Sequence, residues 1–261
     1  MNFVELEKTM SLEGKVAVVI GDFSLDTIGN AVAEALLDRG AEVVLLELEG
    51  AYKNEIKTDT MELTSRTAQE ITDCYEQIIK NHGRIDILVN CVNEFYGGTI
   101  QEMSEAILEE SYQKNVRLAF DLINSVIPYM KEKGGVVVQT TCGAYVSSLP
   151  QTAPYASSIY ATVRMIKNFA DEASRYKIRF NTICAGNIKS EEIERWIEKR
   201  KEDGYSREES EGIVRCPNYL ERLGTPEDVG ETVAYVVSPA AHFINAATIM
   251  LDGGCQDSAL H

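Results

Sequence analysis

Short runs of β-branched and aliphatic residues alternate along the chain with longer stretches in which apolar side chains recur every three or four positions. The runs are KVAVVI (15–20), EVVLLE (42–47), DILVN (86–90), GVVVQT (135–140), IRFNTI (178–183) and ATIMLD (247–252). Hydrophobicity this continuous suits strands covered on both faces. Helical spacing falls at 28–39, 65–81, 104–131, 154–175 and 226–237. The alternation predicts an α/β fold, a Rossmann-type doubly wound parallel sheet of about seven strands with helices on both faces. No repeat or Pro/Gly/Ser-rich linker interrupts it, so residues 1–261 read as one domain. The segment 190–222 is charge-rich with scattered apolar anchors. It reads as a solvated helical excursion that doubles as a lid over a site at the strand ends.

Composition narrows the function classes. With 25 Lys and Arg against 41 Asp and Glu, the net charge of −16 repels nucleic-acid phosphates and anionic headgroups. Neither a nucleic-acid binder nor a membrane protein is expected, and no apolar run approaches the ~18 residues of a membrane span. Six cysteines lack any CxxC pair and the three histidines are scattered, so no metal site is expected and the thiols read as reduced, in a cytoplasmic protein.

A doubly wound sheet places its ligand crevice at the carboxyl ends of the strands, where the first strand-to-helix turn offers amide groups to a pyrophosphate. That turn is GDFSLDTIG (21–29). Gly21 ends the strand and Gly29 lies against the opening helix, but the usual middle glycine is absent. Glu47, at the end of the second strand, is placed to accept the hydroxyls of an adenosine ribose and to repel a 2′-phosphate, favouring NAD over NADP; it reads equally as a charged strand terminus.

From about residue 12 to residue 254 the chain resembles the short-chain dehydrogenase/reductase (SDR) family. The resemblance rests on ordered markers: KTDT with Asp59, NCVN (90–93) in place of the family's NNAG, QKNVRLAF with Asn115, TTCGAYVSS (140–148), APYASSIYATVRMIKNFADE (153–172), RFNTICAGNIKS (179–190), RLGTPEDVGETVAYVVS and LDGG (251–254). It implies that Tyr155 is the acid/base tyrosine and Asn115 the tetrad asparagine, holding a water relay. It assigns Gly21, Ile28, Gly29, Glu47, Asp59, Asn90, Gly186 and Ile188 to NAD(H), with Asp59 on the adenine. Cys142, thirteen residues before Tyr155, stands where the family has its catalytic Ser. Ile159, one helical turn after Tyr155, stands where it has the Lys that holds the nicotinamide ribose and acidifies the tyrosine. Tyr160, Arg164 and Lys167 offer a rival spacing similar to that of enoyl-ACP reductases, but it shifts the helix by five residues against Glu172 and Asn181. They are taken as residues of the helix face.

Further departures gather at the cofactor site. Asp22 and Asp26 bring carboxylates to the diphosphate turn, Asn93 replaces the last glycine of NNAG, and Ala185 replaces the Pro of PG. Two readings follow. In the preferred one the chain is a non-catalytic subunit of an NAD(H)-linked alcohol dehydrogenase or ketone reductase, its NAD(H) binding weak or lost, paired in a dimer or tetramer with an active SDR paralogue. The family's hetero-oligomeric enzyme of anaerobic toluene degradation, acting on a hydroxyacyl-CoA, is a precedent for such pairing. In the other the chain is a self-sufficient NAD(H)-dependent oxidoreductase working through Tyr155 and Asn115. Assembly is expected through the two long helices, whose Leu118, Phe120, Ile123, Val126, Ile127, Met130, Val163, Ile166 and Phe169 exceed one core-facing stripe.

Overall fold

The apolar runs pair side by side in the computed structural model, which describes residues 8–48, 56–143, 151–202, 204–215 and 218–255. The strands are β1 (Val16–Gly21), β2 (Glu42–Leu48), β3 (Asp59–Leu63), β4 (Ile87–Asn90), β5 (Gly135–Cys142), β6 (Ile178–Ala185) and β7 (Thr248–Leu251). They form one seven-stranded sheet in the order β3-β2-β1-β4-β5-β6-β7, parallel throughout. Strand order reverses between β1 and β4, which opens the crevice at their carboxyl ends.

Helices α1 (Ile28–Leu37), α2 (Ala68–His82), α3 (Glu105–Tyr112), α4 (Leu118–Met130), α5 (Ala153–Ala173) and α8 (Pro226–Val237) make the crossovers. Side chains alternate across β1. Val16, Val18 and Ile20 enter the core under α2, α4 and α5, while Ala17 and Val19 enter the core under α1 and α8. Thr27, Thr67, Ser104 and Thr225 cap the starts of α1, α2, α3 and α8, accepting bonds from the amides of Asn30, Glu70, Ile107 and Asp228.

The structure departs from the sequence expectations at β3, at 104–131 and on the long helices, while the segment 190–222 carries helices as expected. β3 was not among the expected runs: DTMEL alternates polar and apolar, pairs only with β2, and buries Leu63 alone. The stretch 104–131 is two helices joined by a π-helical turn, Gln113–Arg117, centred on buried Asn115. The expected lid contains helices α6 (Glu191–Glu202) and α7 (Arg207–Arg215), with Arg207 bonded to Glu194 at 2.9 Å and Ile197 fully buried. The apolar excess on the long helices is mostly internal. Leu118, Ile123, Val126, Met130, Val163 and Ile166 are buried within the chain, and Ile127 and Phe169 pack partly against its core. What these helices leave exposed is Leu108, Tyr112, Phe120 and Tyr160.

Candidate active site

Tyr155 sits in the first turn of α5, which lies along β5 and β6 and so carries it beside Cys142 at the end of β5. Its ring is 8% exposed and clusters with Ile159, Val163 and, at the rim, Cys142. The hydroxyl is held well above the ordinary tyrosine range, chiefly by burial, and further by hydrogen bonding to Cys142 and by the nearby Cys142 and Cys184 thiols. Ile159, one turn on, is 1% exposed and presents only hydrocarbon to it. Each influence on the hydroxyl acts in the direction opposite to activation.

Asn115 is committed to structure. Its Oδ1 accepts from the amide of Glu94 at 2.8 Å, and its Nδ2 donates to the Glu94 carbonyl at 2.8 Å and to Ser158 Oγ at 3.2 Å. Its own carbonyl lies 3.0 Å from Thr162 Oγ1, a hydroxyl that is also 3.1 Å from Ser158 O. Thr162 lies seven residues after Tyr155 on the same helix, and sequence reasoning gave it no role. A hydroxyl rotor that can donate at the correct helical offset was the available signal.

The segment after NCVN closes over the tyrosine. Phe95 stacks edge-to-face on Tyr155 with ring centroids 5.2 Å apart. The Asn115 bonds to Glu94 pin one side, and the amide of Gly98 donates to Gln151 O at 2.9 Å on the other. A Cβ on Gly97 would lie 2.5 Å from Gln151 O and 2.8 Å from the Phe95 ring, so the segment cannot sit this close with any larger residue there. Glu94 also pairs with Arg66 and accepts from Tyr96. Phe95 was not singled out in the sequence, because its contact with Tyr155 spans 60 positions with no local pattern.

Thiols line the ends of three central strands. Cys91 follows β4, Cys142 ends β5 and Cys184 is the penultimate residue of β6. Burial pushes the Cys91 thiol up to about 12, and that of Cys184 higher still. Cys184 donates to Cys142 O at 2.9 Å. Groups held protonated in this way are poor nucleophiles. Among the described residues no cluster of His, Cys, Asp or Glu could hold a metal ion.

The residues expected to bind NAD(H) divide. Glu47 lies opposite Gly21 at the carboxyl ends of β2 and β1, where an adenosine ribose would lie. Asp59 does not reach this place: it begins β3, at the amino end of the sheet, and its carboxylate meets His82 Nε2 at 3.2 Å. The acidic residue of β3 level with Glu47 is Glu62. Asp22, exposed, accepts from the amide of Ser24 at 2.8 Å and from the Ser24 hydroxyl, so its carboxylate is engaged within the loop. Asp26 is exposed at φ 62°. A Cβ on Gly29 would fall 2.3 Å from Asp22 O, so that glycine serves the loop's own packing around buried Phe23. Asn90 is buried and bonded to Gln139, and Asn93 donates to Thr140 O at 3.0 Å, so both tie β4 to β5. Gly186 lets β6 pass the backbone of Asp252, and Ile188, bridged to Gly224, lines a cavity of about 70 Å³ with Ile28 remaining at the start of α1. The residues therefore fit the adenosine half of a nicotinamide dinucleotide better than the nicotinamide half, where a ribose needs a donor and Ile159 offers none. Within TTCGAYVSS, positions 144–148 lie outside the described residues.

The state of Tyr155 has a direct readout. A tyrosine whose folded value is raised contributes stability that is present below the unfolded value, about 10, and is lost as pH rises through the folded value. Tyr155→Phe is expected to leave ultraviolet phenolate titration of the native protein unchanged up to about pH 10. Disappearance of an ionisation near neutral pH in the variant would show an activated tyrosine instead.

Comparison with known proteins gives a consistent picture. A family model described as enoyl-(acyl carrier protein) reductase matches residues 23–256. The mouse (Mus musculus) dehydrogenase/reductase SDR family member 4 is 30% identical over 264 residues, covering 95% of this chain and 90% of that protein. A 3-oxoacyl-(acyl-carrier-protein) reductase of Thermotoga maritima is 27% identical over 255 residues, covering 94% and 99%. Among solved structures, the aldohexose dehydrogenase of Thermoplasma acidophilum superposes with a TM-score of 0.84 at 24% identity, covering 94% and 95%. A dehydrogenase/reductase from Sinorhizobium meliloti does so with 0.81 at 22%, covering 97% and 99%.

Proposed function

This chain belongs to the short-chain dehydrogenase/reductase family, and we propose that within it the chain is a subunit whose own site does not carry out hydride transfer. The observation that carries the reading is the Tyr155 hydroxyl: buried, beside two thiols, and with Ile159 where the family's mechanism needs an ammonium. General acid–base catalysis works best with a group whose pKa lies near the working pH, and here the environment moves the phenol the other way. Phe95 also covers the ring. Because the nicotinamide half of NAD(H) does not fit, no step is assigned to it.

A family fold retained without the cation that activates its tyrosine is consistent with a role in assembly. The partner is an SDR paralogue with an intact Tyr-x-x-x-Lys, in a cytoplasmic dimer or tetramer, meeting this chain at the exposed Leu108, Tyr112, Phe120 and Tyr160. Co-expression with an SDR chain that keeps Tyr-x-x-x-Lys, followed by size exclusion, is expected to yield one complex whose dehydrogenase activity is unchanged by Tyr155→Phe in this chain. A stable monomer that ignores such a partner, or a complex inactivated by that substitution, would contradict the proposal.

A further inference from the structure

At the amino end of the sheet, opposite the crevice, a cavity of about 230 Å³ is bordered by Lys15, Lys133, Lys177 and Arg179, with His242 at its edge and Asp86 as the acidic residue of its lining. Four cations on one cavity are notable in a chain of net charge −16. Asp86 is already satisfied: it accepts from the Val16 amide at 3.0 Å, lies 3.6 Å from Lys15 Nζ and pairs with Arg84. Arg179 is also committed, donating to the carbonyls of Val236 at 2.9 Å and Ile244 at 2.8 Å. Lys133 and Lys177 are exposed, and among the described residues neither forms an ion pair.

Two tight turns set these lysines on one rim. Gly134 has φ 77° and Lys177 has φ 56°, and a Cβ on Gly134 would lie 2.8 Å from Lys177 O. The Gly135 amide donates to that same carbonyl at 3.3 Å. Helix ends favour cations, but the carbonyls that face these turns already have partners. Met130 O accepts from the amides of Lys133 and Gly134, and Ser174 O from the amide of Lys177. The two exposed lysines thus border the cavity beside Leu12, Ile87, Val136 and Val237.

We propose that this cavity binds a small multivalent oxyanion of the phosphate or diphosphate class, at a site separate from the crevice at the other end of the strands. The cavity's volume suits such a group, and the ammonium groups of Lys133 and Lys177, with no ion pair among the described residues, match its charge.

Pyrophosphate titrated into the full chain by calorimetry tests this. Wild-type protein is expected to bind saturably, Lys133→Gln/Lys177→Gln to bind at least about tenfold more weakly, and Lys199→Gln/Lys201→Gln, the same charge loss on α6, to bind like wild type. Absence of saturable binding by the wild type would overturn the proposal. So would undiminished binding by the Lys133/Lys177 variant, or an equal loss in both variants, which would reflect overall charge and not a site.

Discussion

Ile159→Lys alone will destabilise the protein by about 3–5 kcal/mol and will not give it measurable hydride transfer. Ile159 is 1% exposed and packed with Tyr155 and Val163, so the new ammonium would enter hydrocarbon in a shell fitted to a shorter, branched side chain. Chemical denaturation of variant and parent measures the loss. A variant of parental stability, or one that turns over ketones with NADH, would mean that the Tyr155 surroundings accept a cation and that the site is nearer to a working one than its packing implies.

The combined change Cys142→Ser, Ile159→Lys and Asp26→Gly is expected to raise turnover by about 10²–10⁴ over any of the single variants. Each member supplies something the others need. Serine returns a strong hydroxyl donor beside Tyr155, lysine returns the charge that acidifies it, and glycine suits the φ of 62° at position 26 while removing a carboxylate from the nucleotide turn. Groups that act as a unit are strongly non-additive, so the triple variant should exceed the product of the single effects. Steady-state rates with a panel of ketones and NADH distinguish the outcomes. A gain equal to that product would show independent defects instead of one dismantled site.

The parts of this molecule legible in the chain were those in which one pattern decided one element. KVAVVI and GVVVQT could hardly be anything but buried strands, and both are. Ile159 was recognisable because helical spacing from Tyr155 leaves one candidate, and the rival at Tyr160 stays on the surface, 57% exposed. β3 was missed because an edge strand needs only one buried side chain, and that omission carried Asp59 to the wrong end of the sheet. The loop amides of Thr64, Ser65 and Arg66, gathered by Glu70 at the start of α2, mark where β3 ends and would have placed Glu62 beside Glu47. Phe95 over Tyr155 and Thr162 on the Asn115 carbonyl depend on contacts between distant segments, and composition and periodicity do not encode those. The second apolar stripe on the long helices misled for a related reason. A helix wedged between a sheet and two neighbouring helices buries more than one face inside its own chain.

The central claim, that this SDR site has lost its redox role, is tested most directly by titrating the purified chain with NADH and following nucleotide fluorescence or heat. Binding is expected to be weaker than about 100 μM, and to tighten little when only the nicotinamide half is changed, because that half finds Ile159 where it needs a donor. A dissociation constant of a few micromolar, about 2–3 kcal/mol tighter, would contradict the account and return the chain to the self-sufficient enzymes of its family.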